Sequence, residues 1–288
     1  MKLSTNGLVL ASDAVVDLHT HTVYSDGTWL PDQLIAYAAS EQFGLIAISD
    51  HDRVNTLVSL QQLALEKHFP VLVAVEMSAS WKGEPVDVLC YGFDPENNAL
   101  DAVAQDVARR QRENTLEVYE NLRRKGYAFS EAELPDEIAA ILDMPSSGHP
   151  FALVALLTKH GYGGAVSPGK ILKEAGCDYA TTGIASVVDA AHKSGAAALI
   201  AHPGRGGGFL CFDADLLDEL RREVPIDGLE VYYPAHTPEQ IEMYQAYAQK
   251  HGLLMSSGSD SHGPDKKPIP YQAQLSRSLL ERIGVQVA

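Results

Sequence analysis

Apolar and polar positions change period along the chain in a way that separates strands from helices. A short apolar run, Val15-Val16 with Leu18, ends in His19-Thr20-His21 and a turn carrying Asp26 and Gly27. Residues 33–42 read as a helix with Pro31 near its start. The run 45–49 is an apolar strand that follows Gly44 and ends in Asp50-His51-Asp52. Leu57, Leu60, Leu63 and Leu65 give 55–68 a helical face, which Pro70 terminates. Residues 71–75 form a continuous apolar run, the mark of a strand buried on both sides, ending at Glu76. A further strand over 86–91 contains Asp87 and closes at Gly92.

The alternation then stops. From about 95 to 182 only helices are predicted, over 100–125, 131–142, 151–160 and 170–174, with a glycine-rich link at Gly161, Gly163 and Gly164. It resumes with a helix at 185–193, a strand at 196–201, a helix at 213–223, a strand at 228–233, a helix at 238–251 and a strand at 253–257. A capping helix and tail are expected over 275–287. Repeated strand–helix units predict a parallel α/β fold, and seven strands are counted. Residues 1–94 and 183–288 are expected to form one barrel, with 95–182 a helical insertion covering its site.

Charge narrows the partners. With 22 basic and 38 acidic residues the formal charge is −16, which repels a long nucleic-acid duplex. A small substrate or a chain end fits better, and bound cations can reverse the field locally for an anionic one. Cys90, Cys177 and Cys211 are scattered and odd in number, so neither a disulfide framework nor a paired-cysteine metal knuckle is expected, and a reducing cytoplasm fits. No apolar run reaches membrane-spanning length, and the patch Gly7 to Ala11 is too short for a signal peptide. Oligomeric state is left open.

The polar residues that break the apolar pattern fall at chosen places. His19, Asp50, Glu76, His202, His236 and Asp260 each lie at or just past the C-terminal end of a predicted strand, where the strand ends of an α/β barrel converge. His19/His21 and Asp260/His262 are spaced by two, so each pair reaches one side of an extended chain. Imidazole nitrogens and carboxylate oxygens together suit divalent metal ions. Asp26 adds a hard oxygen, and Glu76 has two oxygens with which to bridge two ions. Of Asp50-His51, His51 is expected to bind metal and Asp50 to orient a ligand from behind. Arg205, in a glycine-rich loop after His202, is placed to clamp a phosphate. His202, Asp260 and His236 are the candidate catalytic groups, with His202 or His236 as proton donor to a leaving group and His236 also a candidate substrate contact. His68, His160, His192 and His251 fall in or beside helices and read as structural. Arg109, Arg110 and Arg112 read as a solvated helix face.

The set His19-x-His21 with Asp26, Asp50-His51, Glu76, Ala201-His202-Pro203-Gly204 and Ser259-Asp260-Ser261-His262 resembles the PHP (polymerase and histidinol phosphatase) family. The likeness is greatest to its TrpH-like metal-dependent phosphoesterases, and it includes Glu230-Val231-Tyr232-Tyr233-Pro234-Ala235-His236. It implies a distorted seven-stranded (β/α)7 barrel holding two or three divalent ions: manganese, iron or zinc, with magnesium also compatible. It further implies one ion on His19, His21, Glu76 and Asp260, a second on Glu76, His202 and the residue at 87, and a third on Asp26, His51 and His262. The activities implied are removal of a 3′-phosphate from a nucleoside 3′,5′-bisphosphate and 5′-to-3′ trimming of short RNA, so the expected partner is a small phosphorylated, nucleotide-type substrate.

Three departures from the branch stand out. Asp87 replaces a usual histidine, which shifts preference toward harder ions. Ser147-Gly148-His149-Pro150-Phe151-Ala152 lacks the branch's arginine, leaving His149 as the candidate substrate contact there. Gly176-Cys177-Asp178-Tyr179 lacks an expected Gly-Lys pair. The competing readings are a phosphatase of another small metabolite, a metal-dependent amidohydrolase, and a non-catalytic PHP module. Amidohydrolase barrels commonly bring a bridging lysine at a later strand end, a place where this chain has none.

Overall fold

The computed structural model describes residues 1–129 and 134–288. The chain divides into two compact units, Met1–Ala104 with Thr182–Ala288, and Gln105–Thr181.

The first unit begins with β1 (Val9–Leu10), β2 (Val15–Thr20), α1 (Pro31–Ser40), β3 (Phe43–Ile48), α2 (Leu57–Glu66), β4 (Val71–Trp81) and β5 (Glu84–Tyr91). α3 (Leu100–Arg124) leads into the second unit, which holds α4 (Leu134–Asp143), α5 (His149–Lys159) and α6 (Pro168–Glu174). The first unit resumes with β6 (Thr182–Gly183), α7 (Ile184–Lys193), β7 (Ala197–Ile200), α8 (Ala214–Glu223), β8 (Gly228–Tyr232), α9 (Pro238–His251) and β9 (Leu254–Ser257). β10 (Tyr271–Gln272), α10 (Arg277–Arg282) and β11 (Gln286–Val287) complete it. The expected helix over 131–142 begins, in the described residues, at Leu134; positions 131–133 lie outside them. The capping helix and tail expected over 275–287 are α10 and the residues after it, the last of which pair in parallel with β1.

The main sheet runs in the order β10-β2-β3-β4-β5-β7-β8-β9, with β6 beside β4. It is nearly closed into a barrel: Thr20 bridges Ser261, His21 N donates to Ser261 O at 2.8 Å, and Asp260 N donates to His19 O at 2.9 Å. The fold is α/β, as expected. It is not wholly parallel, because β5 is antiparallel to both β4 and β7. β4 and β5 form a hairpin closed by Lys82 and Gly83, at φ 54° and 84°. Two successive left-handed residues give the turn that matches strand twist, and glycine adopts this conformation without a Cβ penalty. β4 therefore does not stop at Glu76 but continues to Trp81.

Period-two alternation sorts the strand residues into two apolar clusters. Ile46, Ile48, Val71, Val73, Val88, Cys90, Ala198 and Ile200 pack outward, against residues from helices such as Leu34, Leu60 and Val187. Leu45, Ala47, Leu72, Ala74, Leu89, Tyr91, Ala197 and Leu199 face inward and fill one end of the barrel. Glu76 continues the inward face of Leu72 and Ala74. Asp87 continues that of Tyr91 and Leu89, and because β5 runs in reverse, it comes to the same end as Glu76. Apolar packing thus plugs one end and leaves the carboxylates at the other. The second unit has its own core, built from Val118, Leu122, Ile138, Ile141, Leu153, Leu156, Leu157 and Leu172.

Candidate metal centre

At the polar end of the barrel four imidazoles meet one carboxylate. Glu76 Oε2 lies 3.0 Å from His19 Nε2, 3.1 Å from His21 Nε2 and 3.2 Å from His51 Nε2. Its Oε1 lies 3.1 Å from His202 Nε2, which stands 3.9 Å from Asp87 Oδ2. Asp260 Oδ1 lies 3.2 Å from His21 Nε2, and His262 Nε2 lies 3.4 Å from Asp26 Oδ1. The donor atoms fall into three groups, each within 4.8 Å: His19, His21, Glu76 and Asp260; His51, Glu76 and Asp87; and His21, Asp26, His51 and His262. His21, His51 and Glu76 each belong to two groups, so the three share walls. The third contains Asp26, His51 and His262, the set the family resemblance implied, with His21 added; the second has His51 where the resemblance implied His202.

These contacts suit a divalent cation better than they suit one another. His19 Nε2 and His21 Nε2 face each other at 3.0 Å, an arrangement in which at most one can donate. Asp260 Oδ1 is buried, and its neighbours at 3.2–3.6 Å are the ring nitrogens of His21, His262 and His19, which are themselves ligand types. A fully buried carboxylate oxygen beside imidazole nitrogens is a costly arrangement unless a cation completes it. Without a cation, protons take its place. Burial pulls the His21 pKa down, yet hydrogen bonds with Asp260 and Glu76 and the charge of Glu76 push it up to about 10. His19 is raised in the same way: burial opposes the charged form, and Glu76 and Glu230 outweigh it. Glu76 and Asp260 stay ionised despite burial, because the histidines around them hold both well below the usual carboxylate range. Asp87 is pushed up to about 6 by burial and by the charge of Glu76.

The supporting residues fix this arrangement from behind. Asp50 Oδ1 accepts from Thr22 N at 2.6 Å and Ser25 Oγ at 2.7 Å, and its Oδ2 accepts from Thr22 Oγ1 at 2.6 Å. It pins the turn that carries Asp26, while its neighbour His51 enters the cluster. Glu230, fully buried on β8, was not singled out from the sequence. Its Oε1 lies 2.9 Å from His19 Nδ1, and its Oε2 accepts from His202 N at 2.8 Å. That bond fixes the His19 tautomer so that Nε2 faces the cluster. The available signal was a lone carboxylate inside the apolar run Gly228-Leu229-Glu230-Val231. Asp17, also missed, accepts from the backbone nitrogens of His19, Ser259 and Ile269, tying the first strand to the closing loop. A Cβ on Gly258 would lie 2.2 Å from His19 Cβ and 2.5 Å from Glu230 Oε1, so only glycine fits there. His202 and Asp260 have φ of 28° and 54°. Left-handed backbone at non-glycine residues costs of order 1–2 kcal/mol each, and the bonds from His202 N and Asp260 N hold both in place.

The candidate substrate residues are placed differently from one another. Arg205 Nη1 lies 3.8 Å from Asp260 Oδ2, at the rim of the cluster. His236 contacts backbone with both ring nitrogens: Nδ1 is 2.9 Å from Val231 O, and Nε2 accepts from Gly204 N at 3.0 Å. It braces the His202–Gly204 loop and has no ring nitrogen spare for a leaving group. His149, in the helical unit, is likewise engaged, with Nδ1 2.9 Å from Thr115 Oγ1 and Nε2 3.1 Å from Met144 O.

The profile of the PHP domain matches residues 17–160. The chain belongs to the PHP domain family. It is 30% identical, over 87% of its length and 88% of the relative's, to a 3′,5′-nucleoside bisphosphate phosphatase of Chromobacterium violaceum. It is 28% identical to the 5′-3′ exoribonuclease Rnm of Salmonella typhimurium, over 94% of this chain and 92% of that one. It is also 28% identical to a phosphoribosyl 1,2-cyclic phosphate 1,2-diphosphodiesterase of Eggerthella lenta, over 86% and 94%. Among solved structures, a Chromobacterium violaceum protein described as an amidohydrolase, with bound sulfate and no metal, superposes with a TM-score of 0.70 at 26% identity, covering 89% of this chain and 90% of that one. A Bifidobacterium adolescentis protein described as a metal-dependent phosphoesterase superposes with a TM-score of 0.72 at 23% identity over 96% of both chains, a likeness of fold.

Proposed function

We propose that this PHP-family chain is a metal-dependent phosphoesterase. It hydrolyses a phosphate monoester of a small nucleotide-type substrate: a nucleoside 3′,5′-bisphosphate, or the end of a short oligoribonucleotide. One observation carries this reading above the others: Glu76, fully buried, stands at about 3 Å from imidazoles of His19, His21, His51 and His202. A carboxylate shared among four ligand-type histidines is a donor set that would hold more than one divalent ion. The relatives that act on nucleotides support the substrate class.

In this reading two or three divalent ions would be held on three sets of residues: His19, His21, Glu76 and Asp260; Glu76, Asp87 and His202, with His51 beside them; and Asp26, His51 and His262. Manganese, iron and zinc fit the mixed nitrogen and oxygen donors, and the carboxylate of Asp87 favours the harder ions. Such ions, when bound, supply Lewis acidity toward the phosphoryl oxygens and an activated water. The chain's own residues do the rest. Glu230 and Asp50 orient the ligands, His236 holds the loop after His202, and Arg205 stands at the rim to bind a phosphate of the substrate. The amidohydrolase reading is weaker, since Glu76 stands in the position between ligand groups where those enzymes commonly use a lysine.

The test is to strip the protein with chelator and reload it with one metal at a time. Phosphate release is then followed from a nucleoside 3′,5′-bisphosphate and from a 5′-phosphorylated ribo-oligonucleotide. Release that returns with metal supports the reading. A reloaded protein that cleaves neither ester overturns it.

A further inference from the structure

The rim of the centre carries a second cation that the sequence motifs do not mark. Lys266 Nζ lies 3.4 Å from Asp260 Oδ2, the same oxygen that Arg205 Nη1 approaches at 3.8 Å. Tyr233 Oη donates to that oxygen at 3.3 Å. The two oxygens of Asp260 thus divide their work. Oδ1 faces His19 and His21 on the metal side, and Oδ2 faces two cations and a phenol on the other.

Both cations are positioned before any ligand arrives. Lys266 sits in a tight turn in which its N donates to Gly263 O at 3.0 Å and its O accepts from Ser261 Oγ. Its ammonium lies 5.9 Å from the Tyr233 ring centroid, and the Arg205 guanidinium 4.6 Å from that of Phe209. Lys267 is directed elsewhere, over Tyr37. The side chains of Lys266 and Arg205 are 48% and 35% exposed, against 2% for Asp260, so they face solvent while the carboxylate does not.

Lys266 and Arg205 share one oxygen of Asp260, whose other oxygen is turned to the metal side. Arg205 also feels the charges of Glu76 and Asp87, but these belong to the metal ligand groups, where bound cations would offset them. With those ions in place the two rim cations are a local attraction for an anion. Ions held in the ligand groups would meet the phosphate that reacts, which leaves the rim cations for a second anionic group. We propose that Lys266, paired with Arg205, is a specificity-determining residue that binds a non-reacting phosphate of the substrate, selecting esters with two phosphate groups over esters with one. The inference rests on the phosphoesterase reading and adds the two-phosphate requirement to it.

The test compares the parent, Lys266→Gln and Lys266→Arg on adenosine 3′,5′-bisphosphate and on adenosine 3′-monophosphate. The parent should prefer the bisphosphate by KM. Lys266→Gln should raise KM for the bisphosphate about tenfold or more, with kcat within about threefold. KM for the monophosphate should stay within about twofold, and the arginine variant should recover most of the loss. Equal effects on both substrates, or an unchanged KM for the bisphosphate, would overturn the assignment. A parent that hydrolyses neither substrate defeats the phosphoesterase reading instead. In that case calorimetric binding of inorganic pyrophosphate and inorganic phosphate to metal-loaded protein still decides the point: the glutamine variant must lose pyrophosphate affinity selectively, and equal affinity in both proteins refutes it.

Discussion

Replacing Glu230 by glutamine tests how the centre is aimed. The carboxylate accepts at two places, His19 Nδ1 at 2.9 Å and His202 N at 2.8 Å, with the glutamate fully buried. A glutamine of the same shape has one oxygen and one NH2 group. With its oxygen toward His202 N, its NH2 faces His19 Nδ1, drives that nitrogen to the acceptor form and puts a hydrogen on Nε2, where a metal ion must sit. With its oxygen toward His19, two donors meet at His202 N and one buried N–H goes unpaired. Either outcome costs about 1–3 kcal/mol. That range corresponds to the 10–100-fold loss of metal affinity typical when a histidine ligand loses its supporting carboxylate. Competition against a chelating indicator gives the affinity, and the far-ultraviolet spectrum reports whether the fold is kept. A folded variant that binds metal within twofold of the parent would refute the argument that Glu230 aims His19.

The same structure makes further predictions. In metal-free protein His21 holds its proton up to about pH 10, well above the unfolded histidine at about 6.5. That contribution is complete below about pH 6.5 and lost as pH rises toward 10, so the Tm of chelated protein should fall across this window while that of metal-loaded protein should not; parallel profiles would contradict it. Metal binding near pH 7 should release protons to a weak buffer, and a titration without proton release counts against protonated ligand histidines. Metal at a hundredfold excess over Kd should stabilise the fold by about 2.7 kcal/mol, and differential scanning calorimetry before and after chelation reads it; an unchanged Tm would go against the centre. Gly83→Ala puts a Cβ on a φ of 84° in the hairpin turn and should cost about 1 kcal/mol without touching metal affinity; no change in Tm would show the turn relaxes freely.

Much of the fold was legible because several of its strands contain short apolar runs separated by amphipathic helices. Residues 45–49 and 71–75 announce buried strands without any tertiary information. The β4–β5 hairpin was not legible. Met77-Ser78-Ala79-Ser80-Trp81 mixes small polar and apolar residues, and Lys82-Gly83 is a weak turn signal beside Asn-Gly or Asp-Gly. That omission made Glu76 look like a strand end and left Asp87 in mid-strand without a reason, until the reversed direction of β5 supplied one. The motif histidines and acids stood out as polar breaks in apolar runs. Glu230 and Asp17 break such runs too, but their role is to hold other side chains, and that depends on partners far away in sequence. Lys266 carried no signal, because one lysine in a polar loop is ordinary until Asp260 is found 3.4 Å away.

The central claim is that Glu76 lies at the heart of a multinuclear metal centre. Anomalous diffraction at the manganese edge, from crystals grown with manganese, tests it most directly. At least two peaks are expected, each within bonding distance of a Glu76 oxygen, one of them also ligated by His19, His21 and Asp260. A single peak remote from Glu76, or no peak in protein that binds manganese in solution, would contradict it.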